Sequence, residues 1–169
     1  MEDIATPRPS HEPVPVSIGL SEQHRKQLSE GLQGVLADSY TLLGKTHGFH
    51  WNVVGPQFHS LHEMFEEQYQ DLQDAVDEIA ERIRALGFLA PGSLSQFLKL
   101  TTIKDEHDAP KAQDMLRELV EDNETVVRAC RGVVRICHDA DDTVTEDLMN
   151  QRLRAHEKAA WMLRASLQP

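Results

Sequence analysis

Six side chains in the middle of the chain are of types that bind metal: His47, His50, His62, Glu66, Asp77 and Glu81. Gly55-Pro56 signals a turn, and His50 and His62 lie about six residues to either side of it. If antiparallel helices flank that turn, the two imidazoles sit at the same height and can converge. Glu66 follows His62 by one helical turn on the same face. Two imidazoles and a carboxylate suit a borderline divalent cation such as Fe(II) or Zn(II), rather than Ca(II) or Mg(II). Most of the other histidines have plainer readings: His11 lies in a proline-rich start, and His24, His107, His138 and His156 stand isolated, exposed or hydrogen-bonded.

Asp77 and Glu81 form a second acidic pair, spaced i, i+4. Asp77 comes 11 residues after Glu66. Three full turns put both on one helix face but roughly 16 Å apart along the axis. One metal centre cannot span that gap. Either the two groups are unrelated, or a second chain brings its Asp77 and Glu81 to the first chain's His50, His62 and Glu66. Two copies of this helix packed antiparallel about an axis near residue 71 or 72 would do so, generating two identical sites on the order of 20 Å apart. Di-iron bundles that build the site within one subunit use Glu-x-x-His pairs. Here no histidine has Glu or Asp three residues before it, so a site between subunits is favoured. A charged helix face is also what plain solvation produces.

The elements that must position these groups read as helices. The 169 residues suit one domain, 40% apolar and 27% charged, with only 5% aromatic. From Ser21, a plausible N-cap, Leu28, Leu32, Val35, Leu36, Ser39, Leu43 and Thr46 recur every three or four residues. Phe58, Leu61, Phe65, Tyr69, Leu72, Val76, Ile79, Ile83 and Leu86 then form one apolar face that Gly87 ends. A short amphipathic piece, Leu94 to Leu100, sits in a longer connector. Pro110 marks a third long helix, and a fourth runs from about Thr145 to Leu167. The expected fold is an all-α four-helix bundle over residues 21–169 with a short helix in its central crossover, preceded by an extended arm over 1–20.

Composition narrows the function classes. The formal charge of -11 excludes a broad polyanion binder, and the arm is itself acidic. The longest charge-free stretch, Thr46 to His62, is rich in His, Gly and Asn and is no membrane span. The opening Met-Glu-Asp lacks the pattern of a secretory signal, which points to the cytoplasm. Cys130 and Cys137, seven apart in one helix, are too distant to pair and read as buried thiols.

Thr46-His-Gly-Phe-His-Trp-Asn-Val53, Phe58, Leu61-His-Glu63 and Asp77-Glu-Ile-Ala-Glu-Arg-Ile83 closely resemble the Dps family, the mini-ferritins of starved bacteria. The resemblance covers roughly residues 22 to 168. It implies a hollow cytoplasmic homo-oligomer, a dodecamer of twelve subunits, built from two-fold dimers. It assigns His50, His62 and Glu66 of one subunit, with Asp77 and Glu81 of its partner, to a ferroxidase centre for two irons, where Zn could substitute. The family more often has Asp at the position of Glu66. The implied reaction is oxidation of Fe(II), preferentially by hydrogen peroxide, with storage of the ferric mineral. Trp51 matches the family's tryptophan near the site, a trap for stray oxidising equivalents or a packing residue. His47 would be a spare ligand or a supporting group. Asp139, Asp141, Asp142, Glu146 and Asp147 match the acidic three-fold pores, although helix capping explains them too.

Many family members coat DNA with basic arms, so a DNA-compacting nucleoid protein is the alternative; a structural or signalling shell is a third class. The acidic arm and the uncharged Ala165-Ser-Leu-Gln-Pro169 end disfavour direct DNA binding. In a gel shift at about 150 mM salt without free metal, DNA should run unretarded. Retardation at micromolar protein would contradict this.

Overall fold

In a computed structural model, residues 15–106 and 108–168 are described. Five helices follow in order: α1 Glu22–Asn52, α2 Phe58–Ala85, α3 Leu94–Leu100, α4 Ala112–Ala140 and α5 Thr143–Ser166. The four long ones pair as two hairpins, α1 with α2 and α4 with α5. The hairpins close on each other through α1 against α4 and α2 against α5, while α3 packs on α1. The expected all-α bundle with a helical crossover is the fold observed.

Local chemistry sets the element ends. Ser21 caps α1 by accepting the His24 N–H at 3.1 Å. Gly55 adopts φ +113° in the turn before α2, and Gly87 adopts φ +94° just after it, both in the left-handed region that favours glycine. Gly87 also leaves room for Val16, since a Cβ there would lie 2.8 Å from the valine Cγ2. Residues 15–20 of the expected arm are thus described without helix, and Leu20 packs against the core. Pro7, Pro9, Pro13, His11 and His107 lie outside the described residues.

The core is a continuous apolar column. Leu28, Leu32, Val35 and Leu42 of α1 meet Phe65, Ile79 and Ile83 of α2 and Leu116, Leu119 and Val126 of α4, all fully buried or nearly so. At about 1.5–3 kcal/mol per large side chain, this burial is the main force holding the bundle. Three expectations need correction. Phe58 is 46% exposed and so does not continue the buried face of α2. α4 begins at Ala112, two residues beyond Pro110. Its helix extends through Asp139, and α5 begins at Thr143. Of the two readings for His156, the hydrogen-bonded one holds: it is buried, its Nδ1 donating to Asn123 Oδ1 at 2.8 Å. Burial, aided by the Arg152 charge, pushes its pKa down to about 3, so it is a neutral core residue. The two cysteines are free and buried, as expected, and burial raises both thiols to about 12.

Buried ionic ties pin the hairpins. Arg82 of α2 reaches the α4–α5 corner, donating to Thr145 Oγ1 at 2.8 Å and to both oxygens of Asp142 at 3.0 and 2.9 Å. Lys45 of α1 contacts Asp122 at 2.7 Å and Glu118 at 3.6 Å on α4. Asp38 of α1 accepts from the Thr102 N–H at 2.6 Å and the Thr101 hydroxyl at 2.9 Å, holding the end of α3.

Asp142 is the N-cap of α5 as well as the partner of Arg82. Burial alone would raise its pKa, but the hydrogen bonds from Thr145 and the Arg82 charge outweigh that and hold it below the usual carboxylate value. A carboxylate depressed in the folded state stabilises above its unfolded pKa, and that contribution fades as pH falls through the folded value. Asp142→Ala should therefore cost about 3 kcal/mol in denaturant unfolding at pH 7, from the lost cap and the unpaired arginine. The gap from wild type should begin to narrow below about pH 4 and close once pH has fallen through the folded value. A gap that persists there would contradict the ionic account.

Candidate metal centre

The α1–α2 hairpin brings His50 and His62 face to face. His50 Nδ1–H donates to the His62 carbonyl at 2.9 Å, and His62 Nδ1–H donates to the His50 carbonyl at 2.9 Å. A carbonyl can only accept, so each Nδ1 carries a proton, and in the neutral ring the lone pair is then on Nε2. The rings stack with centroids 3.7 Å apart and planes 18° apart. This reciprocal clamp fixes both tautomers in the form that ligates a metal. His50 is buried and His62 half-buried, so the pair lies at the edge of the fold.

Glu66 sits one turn beyond His62. Its Oε1 accepts from the Tyr69 hydroxyl and the Gln70 amide, both at a long 3.4 Å. Asp77 and Glu81 lie on α2 in exposed positions. Eleven residues at about 1.5 Å each keep Asp77 roughly 16 Å from Glu66. Asp77 instead lines an open cleft with Tyr40, Gln73, Ala80 and Phe97, between α2, α1 and α3. Among the described residues, no three His, Cys, Asp or Glu side chains of one chain converge to hold a metal. The structure thus joins His50 with His62, places Glu66 one helical turn along α2 without bringing it into a three-ligand group, and does not bring Asp77 or Glu81 to them. Two imidazole Nε2 atoms and a carboxylate are a donor set that suits Fe(II) or Zn(II).

Comparison with known proteins places this geometry. A family model described as a ferritin-like domain matches residues 29–169. A low temperature-induced protein of Nostoc sp. is 43% identical, over 90% of this chain and 87% of its own length. The DNA protection during starvation protein of Porphyromonas gingivalis is 37% identical, over 87% of this chain and 92% of its own. The crystal structure of the Dps protein from Vibrio cholerae superposes with a TM-score of 0.87 at 32% identity, covering 94% of this chain and all of that one. The chain belongs to the Dps branch of the ferritin-like family. The Vibrio protein is itself described as one of the ferritin-like diiron-carboxylate proteins.

Other residues singled out in this Dps sequence occupy varied settings. Trp51 is 65% exposed and touches the His47 ring, with centroids 4.2 Å apart. His47 also stacks on Tyr69 at 4.1 Å, while its ring centroid is 6.1 Å from that of His50. Of the five acids at the α4–α5 corner, Asp142 is withdrawn by its burial against Arg82, which corrects its place in an acidic pore. Asp139 and Asp141 are exposed, Glu146 contacts His138 at 3.1 Å, and Asp147 accepts from Gln151. Tyr69 is the residue that sequence reasoning placed only on an apolar face. Its spacing three residues after Glu66 was the available signal.

Proposed function

We propose that this protein oxidises Fe(II) at sites shared by two chains and stores the ferric product within a hollow homo-oligomeric shell, a dodecamer, in the cytoplasm. Iron is the substrate and cargo, and hydrogen peroxide the preferred oxidant. The observation that carries this reading is the reciprocal His50–His62 clamp, which commits both Nδ1 atoms to the backbone one helical turn from Glu66, while Asp77 and Glu81 stand exposed further along the same helix. Family membership supports it, since relatives carry the name of proteins that protect DNA during starvation.

The residues would divide the work by their chemistry. His50 and His62, held in one tautomer by the backbone, bind Fe(II). Glu66, with Asp77 and Glu81 from a two-fold partner, adds negative charge that favours the ferric product. Two irons and one peroxide balance as two Fe(II), H2O2 and two protons giving two Fe(III) and two waters, so no hydroxyl radical is released. Zn(II) fits the same donors and would compete for them. Trp51 lies close enough to act on stray oxidising equivalents through His47. Asp139, Asp141, Glu146 and Asp147 would draw cations toward a three-fold opening. Protection of DNA would be chemical, by removing iron and peroxide, since the acidic chain opposes binding to phosphates. Among the described residues no helix is long and apolar enough to cross a membrane.

Anaerobic loading with Fe(II) followed by peroxide tests this. His50→Ala with His62→Ala should slow iron oxidation by about tenfold or more with helix content unchanged. Oxidation as fast as in the unaltered protein would contradict the site.

A further inference from the structure

A cleft of about 440 Å³, a usual size for a small-molecule site, lies between α2 and α5, and none of the candidate metal ligands lines it. Arg82 donates to Thr145 and Arg152 to Asp71, so the two helices run antiparallel, and the cleft continues beyond the second pair. At its polar end Arg152 is buried, only 7% exposed. The Arg152 Nη2 donates to Asp71 Oδ2 at 2.6 Å and to His156 Nε2 at 3.4 Å. His156 can accept there because its Nδ1–H donates to Asn123, which is also buried. These bonds fix the guanidinium, yet Arg152 Nε and Gln68 Nε2 are buried with no hydrogen-bond partner among the described residues. Both atoms can only donate, and a buried donor without an acceptor is costly. A matching ligand therefore brings acceptors.

The charges along the walls say which acceptors. Arg152, Arg154 and Lys158 stand against Asp71 and Glu67, three positive against two negative, and His156 is neutral. Asp71 is already taken by Arg152, whereas Arg154 and Lys158 are exposed at the rim with no ion pair among the described residues. One positive charge is left over, which suits a monoanion. The remaining walls are apolar: Met64 and Leu72 on α2, and Ala155, Ala159 and Met162 on α5. A bare oxyanion such as phosphate would meet the donors and leave those walls uncovered. We propose that this cleft binds an amphipathic organic monoanion, a carboxylate on an unbranched alkyl chain. The headgroup accepts from Arg152 Nε–H and the Gln68 amide, and the chain lies along the methionines and alanines. The flexible thioethers of Met64 and Met162 can adapt to chains of different length. This site is separate from the metal centre and does not rest on the ferroxidase reading.

Isothermal titration of the assembled, full-length protein with sodium octanoate tests the assignment. One octanoate should bind per chain, and affinity should rise by about tenfold for every two methylenes from butyrate through hexanoate to octanoate. Two comparison ligands separate the headgroup from the chain: 1-octanol lacks the charge, and inorganic phosphate lacks the alkyl group. Each should bind at least about tenfold more weakly than octanoate. Ala159→Phe fills the cleft without touching the arginine, and Gln68→Leu removes one donor. Each should weaken octanoate binding by about tenfold or more, with helix content and assembly unchanged. Arg152→Gln should abolish it, but that change also breaks the tie to Asp71, so the other two variants decide the matter if it fails to fold. Absence of saturable octanoate binding, phosphate or octanol binding as tightly as octanoate, or full octanoate affinity in Ala159→Phe or Gln68→Leu would overturn the proposal.

Discussion

An α-helix rises about 1.5 Å per residue, and a carboxylate side chain reaches only a few ångströms from its axis. That rigidity governs what α2 can do. His62 and Glu66 occupy one end of its polar face and Asp77 and Glu81 another, and no bend in the helix brings them nearer. Within one chain the first group therefore has too few ligands and the second has no imidazole. The same spacing becomes useful once a second α2 lies antiparallel, because each histidine end then faces the other chain's acidic end. On the proposed reading one helix carries two half-sites, and assembly would be a condition of the chemistry.

The rest of the bundle serves to keep α2 and α1 in register. The His50 and His62 rings donate to each other's backbone carbonyls, so a slip of the hairpin by one residue would break both bonds and turn the rings away. Further from the site, Arg82 ties α2 to the Asp142 cap of α5, and Lys45 ties α1 to Asp122 of α4. Burial pushes the carboxyls of Asp122 and Glu118 upward, a sign that Lys45 only partly offsets their desolvation. Removing that lysine would leave buried Asp122 and half-buried Glu118 uncompensated. These ties confer a fixed geometry that an apolar core alone would specify less sharply.

Much of this was legible in the sequence because periodicity reports which face of a helix is apolar. The α1–α2 hairpin, the Ser21 cap and the short α3 over Leu94–Leu100 all follow from local patterns. The pairing of His50 with His62 followed as well, since both are measured from one turn. Periodicity does not report what covers a face. Phe58 and Leu94 fit apolar stripes, yet they lie 46% and 68% exposed in the single chain. Nor does it show contacts between residues far apart in sequence. Arg82 with Asp142, and Lys45 with Asp122, are joined only by the closed bundle, so Asp142 looked like a surface acid. Tyr69 was hidden for a different reason: one side chain can belong to an apolar stripe through its ring and to a polar site through its hydroxyl.

Whether the site is shared between chains is tested most directly by mixing defective subunits. His62→Ala protein and Asp77→Ala protein each lack one half-site and should be nearly inactive in iron oxidation. Dissociated, mixed in equal amounts and reassembled, they should recover about a quarter of the unaltered protein's rapidly oxidising sites, because half the dimers are mixed and each mixed dimer holds one complete site. Mixed protein no more active than its parents would contradict a site built across the two-fold axis.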